Sequence, residues 1–238
     1  MITLYCFGRG PGLPDFSPFV IKTMLLLKLA GLDYVEDRSG LQRAPKGKLP
    51  YIDDDGVIVA DSTFIRWHIE KTRGIDLDRG LTAEQRAIAW AAEKMCEDHL
   101  YWIGVRGRWL DDANFARGPA RFFDRAPAFA RPLLRHVVRG RIRKALYAQG
   151  TGRYTDEEVT QLGIRDGETL ATLLGDKPYF FGEEPCGADA TFFAFIAATL
   201  APNWESPLRA AAEKAPNLVA YRDRILKTYF PDIAEARA

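Results

Sequence analysis

The chain opens with a short β-rich run, Ile2 to Phe7, that is stopped by Gly8, Gly10, Pro11 and Gly12, and this predicts a strand feeding a loop. Pro18 begins a segment with apolar residues at Phe19, Val20, Met24, Leu27 and Ala30, closed by Gly31, which predicts a helix. Tyr34 to Asp37 reads as a second strand. Tyr51 to Asp53 and Val57 to Ala60 flank the turn signal Asp54-Asp55-Gly56 and predict a hairpin. A helix follows from about Ser62 to Thr72 and stops at Gly74. Strand, crossover helix, strand, hairpin and closing helix together make a small α/β unit of about 75 to 80 residues, large enough to fold around its own core.

Residues 74–80 are glycine-flanked and poor in apolar positions, and they read as a linker. Beyond them the pattern is helical. Thr82 with Gln85 and Thr155 with Glu158 fit capping boxes, in which hydroxyl and side-chain acceptor satisfy two free helix N–H groups reciprocally. Ala87, Ile88, Ala91, Met95 and Leu100 predict an apolar stripe after the first box, and Leu162, Leu170, Leu173 and Leu174 another after the second. Phe192, Phe193, Phe195 and Ile196 are apolar almost all round, the pattern of a helix surrounded by others.

Composition narrows the function classes. The 33 basic and 32 acidic residues nearly cancel over 238 residues, which argues against a dedicated nucleic-acid binder. Cys6, Cys96 and Cys186 are far apart and form no C-x-x-C pair, so neither a disulfide scaffold nor a dithiol redox motif is expected, and a reducing compartment is. No export signal is read at the N-terminus, and no apolar run approaches the ~20 residues that cross a bilayer. The expected location is the cytoplasm. His68, His99 and His136 lack metal-ligand spacing, and Gly8-Arg9-Gly10-Pro11-Gly12 is too interrupted to be a dinucleotide fingerprint. Six basic residues and no acidic one between Arg131 and Lys144 predict a solvated or cleft-facing helix surface.

Three local motifs carry candidate chemistry. Lys48-Leu49-Pro50-Tyr51 puts a proline at the mouth of the hairpin, where a trans bond is the common state and a cis bond would expose the preceding backbone to an extended peptide. Asp61-Ser62 opens the following helix, as an N-cap, as an anion site at the helix N-terminus, or both. Ser17-Pro18 is either a plain N-cap and N1 pair or a hydroxyl set at a helix N-terminus to stabilise a thiolate. Cys6 and Tyr5, at the end of the first strand, are rivals for that last task.

Taken together, Ser17-Pro18-Phe19, Gly47-Lys48-Leu49-Pro50 and Asp61-Ser62-x-x-Ile65 resemble, in order and spacing, the glutathione transferase superfamily. Ser17 to Lys22, Ala60-Asp61-Ser62, His99-Leu100-Tyr101-Trp102, and Gly182 followed by Ala188-Asp189-Ala190-Thr191 look closest to its failed-axon-connections and metaxin-like branch. The resemblance implies a thioredoxin-like α/β N-terminal domain at 1–76 and an all-α C-terminal domain at 80–238. It also implies that Leu49, next to a cis Pro50, holds the cysteinyl part of reduced glutathione. Asp61 and Ser62 would hold the γ-glutamyl end, Lys48 the glycyl carboxylate, and Ser17 the thiol. The helical domain would line an electrophile pocket, with Tyr101, Trp102, Arg106 and Trp109 as candidates. Two departures stand out: the loop from Gly8 to Phe16 is long and proline-rich, and Cys186 replaces the usual Ser or Thr three residues before Asp189. The expected protein is a metal-free, homodimeric detoxification enzyme of the serine type with a small-molecule electrophile as substrate. The alternatives are a non-catalytic adaptor and a glutathione-dependent peroxidase or reductase.

Overall fold

The computed structural model describes residues 1–124 and 126–236. Strands β1 (Ile2–Tyr5), β2 (Tyr34–Asp37), β3 (Tyr51–Asp54) and β4 (Val57–Ala60) form one sheet in the order β2-β1-β3-β4. Helix α1 (Pro18–Leu29) crosses from β1 to the parallel β2, while β3 and β4 pair antiparallel as a hairpin. Helix α2 (Ser62–Arg73) ends at Gly74, whose φ of 63° is the left-handed turn a side chain disfavours. The α/β N-terminal domain and the mostly helical remainder make up the glutathione transferase fold implied by the resemblance.

The remainder runs α3 (Ala83–Lys94), a π-helical turn at Met95–Leu100, α4 (Tyr101–Trp109), α5 (Asp112–Arg117), α6 (Arg131–Gln149), α7 (Asp156–Leu174), α8 (Gly187–Thr199), α9 (Pro207–Glu213), α10 (Pro216–Tyr229) and α11 (Pro231–Glu235). Both predicted capping boxes form, Thr82 with Gln85 and Thr155 with Glu158. Helix α8 is apolar all round because it packs on α1 as well as on α3, α9 and α10. Asp189 stands at its start with no exposure and accepts N–H bonds from Phe180 and Cys186 and the Tyr221 hydroxyl at 2.8 Å. The Cys186 thiol also points at Asp189, so the sulfur serves where Ser or Thr was expected.

One predicted stripe is displaced. Ala87, Ile88 and Ala91 are exposed, and the buried face of α3 is Ala89, Ala92 and Glu93, continuing to Cys96 and Leu100. The reason is an inward-facing charge cluster. Lys22 of α1, 1% exposed, places its Nζ 2.6 Å from Glu97 and 3.2 Å from Glu93. Glu93 also accepts from the Thr191 hydroxyl at 2.6 Å and faces Arg66 of α2 at 3.4 Å. Arg66 reaches Asp78 at 2.5 Å and Glu70 at 3.0 Å. Asp78 lies in the 74–80 segment, whose Leu77 carbonyl accepts the Gly187 N–H at 2.8 Å, so this connector is fastened to both halves of the fold. Acidic side chains inside an otherwise apolar face explain why hydropathy alone misjudged α3.

Removing one member of a buried ion pair strands its partners and costs about 3–5 kcal/mol. Lys22→Met is therefore expected to lower unfolding free energy by that amount in urea titration. A loss below about 1 kcal/mol would show that the cluster is structurally dispensable.

Candidate functional site

The β3–β4 register sets Tyr51 opposite Ala60, which brings the Lys48-Leu49-Pro50 loop against the start of α2. The Leu49–Pro50 peptide is cis. The Asp61 N–H donates to the Pro50 carbonyl at 3.2 Å, tying loop to turn. Asp61 adopts φ 87°, a region costly for a residue with a side chain, and such conformations cluster at functional sites. Its carboxylate caps α2 by accepting the Thr63 N–H at 3.1 Å and lies 3.0 Å from Lys48 Nζ. Burial alone would raise this carboxyl, but Lys48 and the Thr63 N–H outweigh it and hold it below the ordinary Asp value. Lys48, Leu49, Pro50, Asp61 and Ser62 thus converge on one helix N-terminus. Lys48, Leu49 and Asp61 line a groove of about 610 Å³, whereas Ser62 is buried and does not line it.

Ser17 occupies the N-cap position of α1, yet its hydroxyl makes no capping bond. The residue is held by its backbone instead: its N–H donates to Asp15 at 2.8 Å, and its carbonyl accepts from Ile21 at 3.0 Å. Asp15, fully buried, also accepts the N–H groups of Gly8 at 2.6 Å and Phe7 at 3.0 Å. Burial pushes its carboxyl up to about 7 against the pull of those three donors. The long Gly8–Phe16 loop is thereby folded around one carboxylate, with Gly10 and Leu13 paired backbone to backbone. Asp15 escaped the sequence reading; an Asp two residues before a Ser-Pro helix start was the available signal.

A second cavity, about 400 Å³, opens beside Ser17 and is lined by aromatic and aliphatic side chains including Phe7, Phe16, Trp109, Phe122 and Phe195. It shares Phe7, Ser17, Leu41 and Tyr101 with the polar groove, so Ser17 stands where the two meet. Of the four electrophile-pocket candidates, Tyr101 and Trp109 line this chamber, and Trp102 lines the groove. Arg106 is a correction. It follows Tyr101 by five residues, which turns it to the opposite side of α4, where it binds the Thr151 and Tyr154 carbonyls and Asp156. Arg108, seven residues after Tyr101, returns to the chamber side and was missed; i to i+7 spacing was the signal.

Of the rivals to Ser17, Cys6 is 1% exposed, and burial pushes its thiol up to about 12, so it supplies no thiolate. Tyr5 stacks on Tyr51, ring centroids 4.0 Å apart, and lies on neither cavity wall. His68 pairs with Asp54 at 2.8 Å and His99 with Asp166 at 2.6 Å. Among the described residues no group of His, Cys, Asp and Glu is arranged to hold a metal, and no helix is long and apolar enough to cross a membrane.

Comparison with known proteins agrees with this geometry. Residues 18–114 match the glutathione S-transferase N-terminal domain, and residues 163–225 match the glutathione S-transferase C-terminal domain. The chain is 34% identical to the isoprene-epoxide–glutathione S-transferase of Rhodococcus sp. (strain AD45), over 96% of this chain and 99% of that one. It is 35% identical to failed axon connections of Drosophila melanogaster over 98% of this chain, but spans only 59% of that protein. Human metaxin-1 is 27% identical over 96% of this chain, which spans 51% of metaxin-1. In fold, the β-etherase LigF from Sphingobium sp. strain SYK-6 superposes with a TM-score of 0.63 at 19% identity, each chain covered to 99%. The pairing of domains and the full-length match to a transferase establish that this chain belongs to the glutathione S-transferase family.

Proposed function

We propose that the protein binds reduced glutathione along the polar groove, ionises its thiol beside Ser17, and directs the thiolate at an apolar electrophile in the adjoining chamber. The observation that carries this reading is the position of a Ser17 hydroxyl with no capping bond where a groove lined by Lys48, Leu49 and Asp61 meets an apolar cavity. The Leu49 backbone, next to the cis Pro50, pairs with the cysteinyl residue as an added strand would. Asp61 takes the γ-glutamyl amine, and Ser62 and the N–H groups at the start of α2 take its carboxylate. Lys48 reaches a carboxylate of the ligand by leaving Asp61. With an epoxide, the sulfur forms a bond to one ring carbon, the carbon–oxygen bond breaks, and the oxygen takes a proton from water. That probe class is suggested by the relative whose whole length the chain matches; the adaptor alternative draws on relatives that extend well beyond it. The peroxidase alternative would have to rely on glutathione's own thiol, since no described cysteine is accessible.

We also propose a cytoplasmic homodimer with domains at 1–76 and 80–238. Phe64, Trp67 and Trp90 form an exposed aromatic strip across α2 and α3, with Trp67 stacked on Trp90 at 6.2 Å. Phe64, Trp67 and Trp90 also wall the groove, so a second copy seated there would close it. Sedimentation at micromolar concentration is expected to show a dimer that Trp67→Glu dissociates; a wild-type monomer refutes the pairing.

Asp61→Ala is expected to weaken glutathione binding by about 1.5–3 kcal/mol, the scale of a hydrogen bond to a charged group. Calorimetry of the variant beside wild type reads this, and unchanged affinity removes Asp61 from the site.

Ser17→Ala separates catalyst from cap. Because the hydroxyl caps nothing, the variant should keep its melting temperature rather than lose the ~1 kcal/mol typical of a broken N-cap. The bound thiol's pKa should rise, each unit being about 1.4 kcal/mol of lost thiolate stabilisation, so kcat falls while glutathione affinity changes less. Ultraviolet titration of the bound thiolate measures the shift directly. Equal thiolate pKa values in the two proteins exclude Ser17 as the activating group.

A further inference from the structure

The apolar chamber beside Ser17 contains one charged wall residue, Arg108. Its neighbours along the chain are neutralised: Arg106 pairs with Asp156 and Arg117 with Glu205. Arg108 has no carboxylate partner among the described residues. Its Nη2 donates to the Ala198 carbonyl, its guanidinium lies 5.0 Å over the Trp204 ring, and its Nε is buried with no acceptor at all. Burial pulls the guanidinium down to about 10, so at neutral pH it remains a cation in an apolar enclosure.

Such a group is poorly placed for stability. A guanidinium in apolar surroundings gains when a carboxylate meets its planar fork, and a methionine of similar length would fill the same space without the charge. The lining confines any partner: the other walls of the chamber are mostly aromatic and aliphatic, so a ligand must bring an apolar body together with an acceptor at one end. Lys48 and Lys94, the cations that line the groove, lie outside the chamber and already face Asp61 and Glu97.

We propose that Arg108 is an anion-recognition residue and that the chamber selects apolar ligands and electrophiles bearing a carboxylate. This rests on reading the chamber as the electrophile's pocket. Its consequence for binding, however, can be measured without glutathione. The carboxylate would sit on the guanidinium, completing the missing ion pair, while the rest of the molecule packs on Phe16, Trp109 and Phe122.

The test uses 4-phenylbutyrate and its neutral counterpart 4-phenylbutyramide, titrated calorimetrically into the full chain without glutathione. Wild type is expected to bind the acid at least about tenfold tighter than the amide, the factor that a hydrogen bond to a charged group provides. Arg108→Met should erase that preference while keeping the apolar contacts, and Arg108→Lys should retain part of it. The wild-type acid-to-amide ratio stands by itself should Arg108→Met fold poorly. Equal affinity for acid and amide overturns the proposal, and so does an acid preference that survives in Arg108→Met, which would assign it to another cation. Conjugation of styrene oxide, measured in parallel, reports on the transferase reading separately. A carboxylate preference without conjugation keeps Arg108's role and removes the transferase reading. Conjugation without a carboxylate preference does the reverse.

Discussion

The structure depends on a cluster of buried charges where the two halves of the fold meet. Lys22 and Arg66 face Asp78, Glu93 and Glu97 across elements separated in sequence, and Glu70 and Lys94 add local pairs to Arg66 and Glu97. Each charge is expensive to bury alone and tolerable only with its partners in place, so the cluster permits few relative positions of α1, α2, α3 and the 74–80 connector. Those are the elements that carry the site. Lys22 follows Ser17 by five residues on α1, and Arg66 follows Asp61 by five on α2. Lys94 and Glu97 border the groove themselves. The ion pairs therefore clamp two helices a little over one turn below their N-termini, and the N-termini are where the site lies.

Two helix starts then do different work with the same kind of residue. At α2 the capping side chain is engaged: Asp61 accepts the Thr63 N–H and meets Lys48, so the turn is charged and ordered before any ligand arrives. At α1 the cap position is filled but the hydroxyl is unspent, while Asp15 holds the Ser17 backbone from behind. A buried carboxylate that binds three backbone N–H groups can fix a loop without occupying the cavity in front of it. The outcome is a rigid approach with a free hydroxyl at its tip.

The parts legible in the sequence were those decided locally. The hairpin, the capping boxes, the proline loop and the acidic turn each arise from a few adjacent residues, and the structure contains all of them. What escaped was decided at a distance. The α3 stripe was displaced because Glu93 turns inward to a lysine 71 residues away, a pairing that hydropathy cannot signal. Arg106 was named and Arg108 was not, although both are basic and near aromatics; only their angle around α4 separates them. The π-helical turn before α4 shifts that angle further from what a straight continuation of α3 would give. Asp15 was hidden in a long, proline-rich loop with no periodic pattern to mark which side chain turns inward.

The division between groove and chamber also bears on catalysis against adaptation of the fold to protein contacts. An adaptor needs a stable surface, and the aromatic strip on α2 and α3 supplies one. It has no need for a cavity of about 400 Å³ that leaves a guanidinium without a carboxylate and a serine without a capping partner. Both features reduce the stability attainable by simple filling, and groups that oppose stability persist most readily where a ligand completes them. Ser17 lacks what a sulfur would provide and Arg108 what an anion would, and both line the same chamber. The unmet interactions of the site, more than its fold, argue for a protein that holds two small molecules at once.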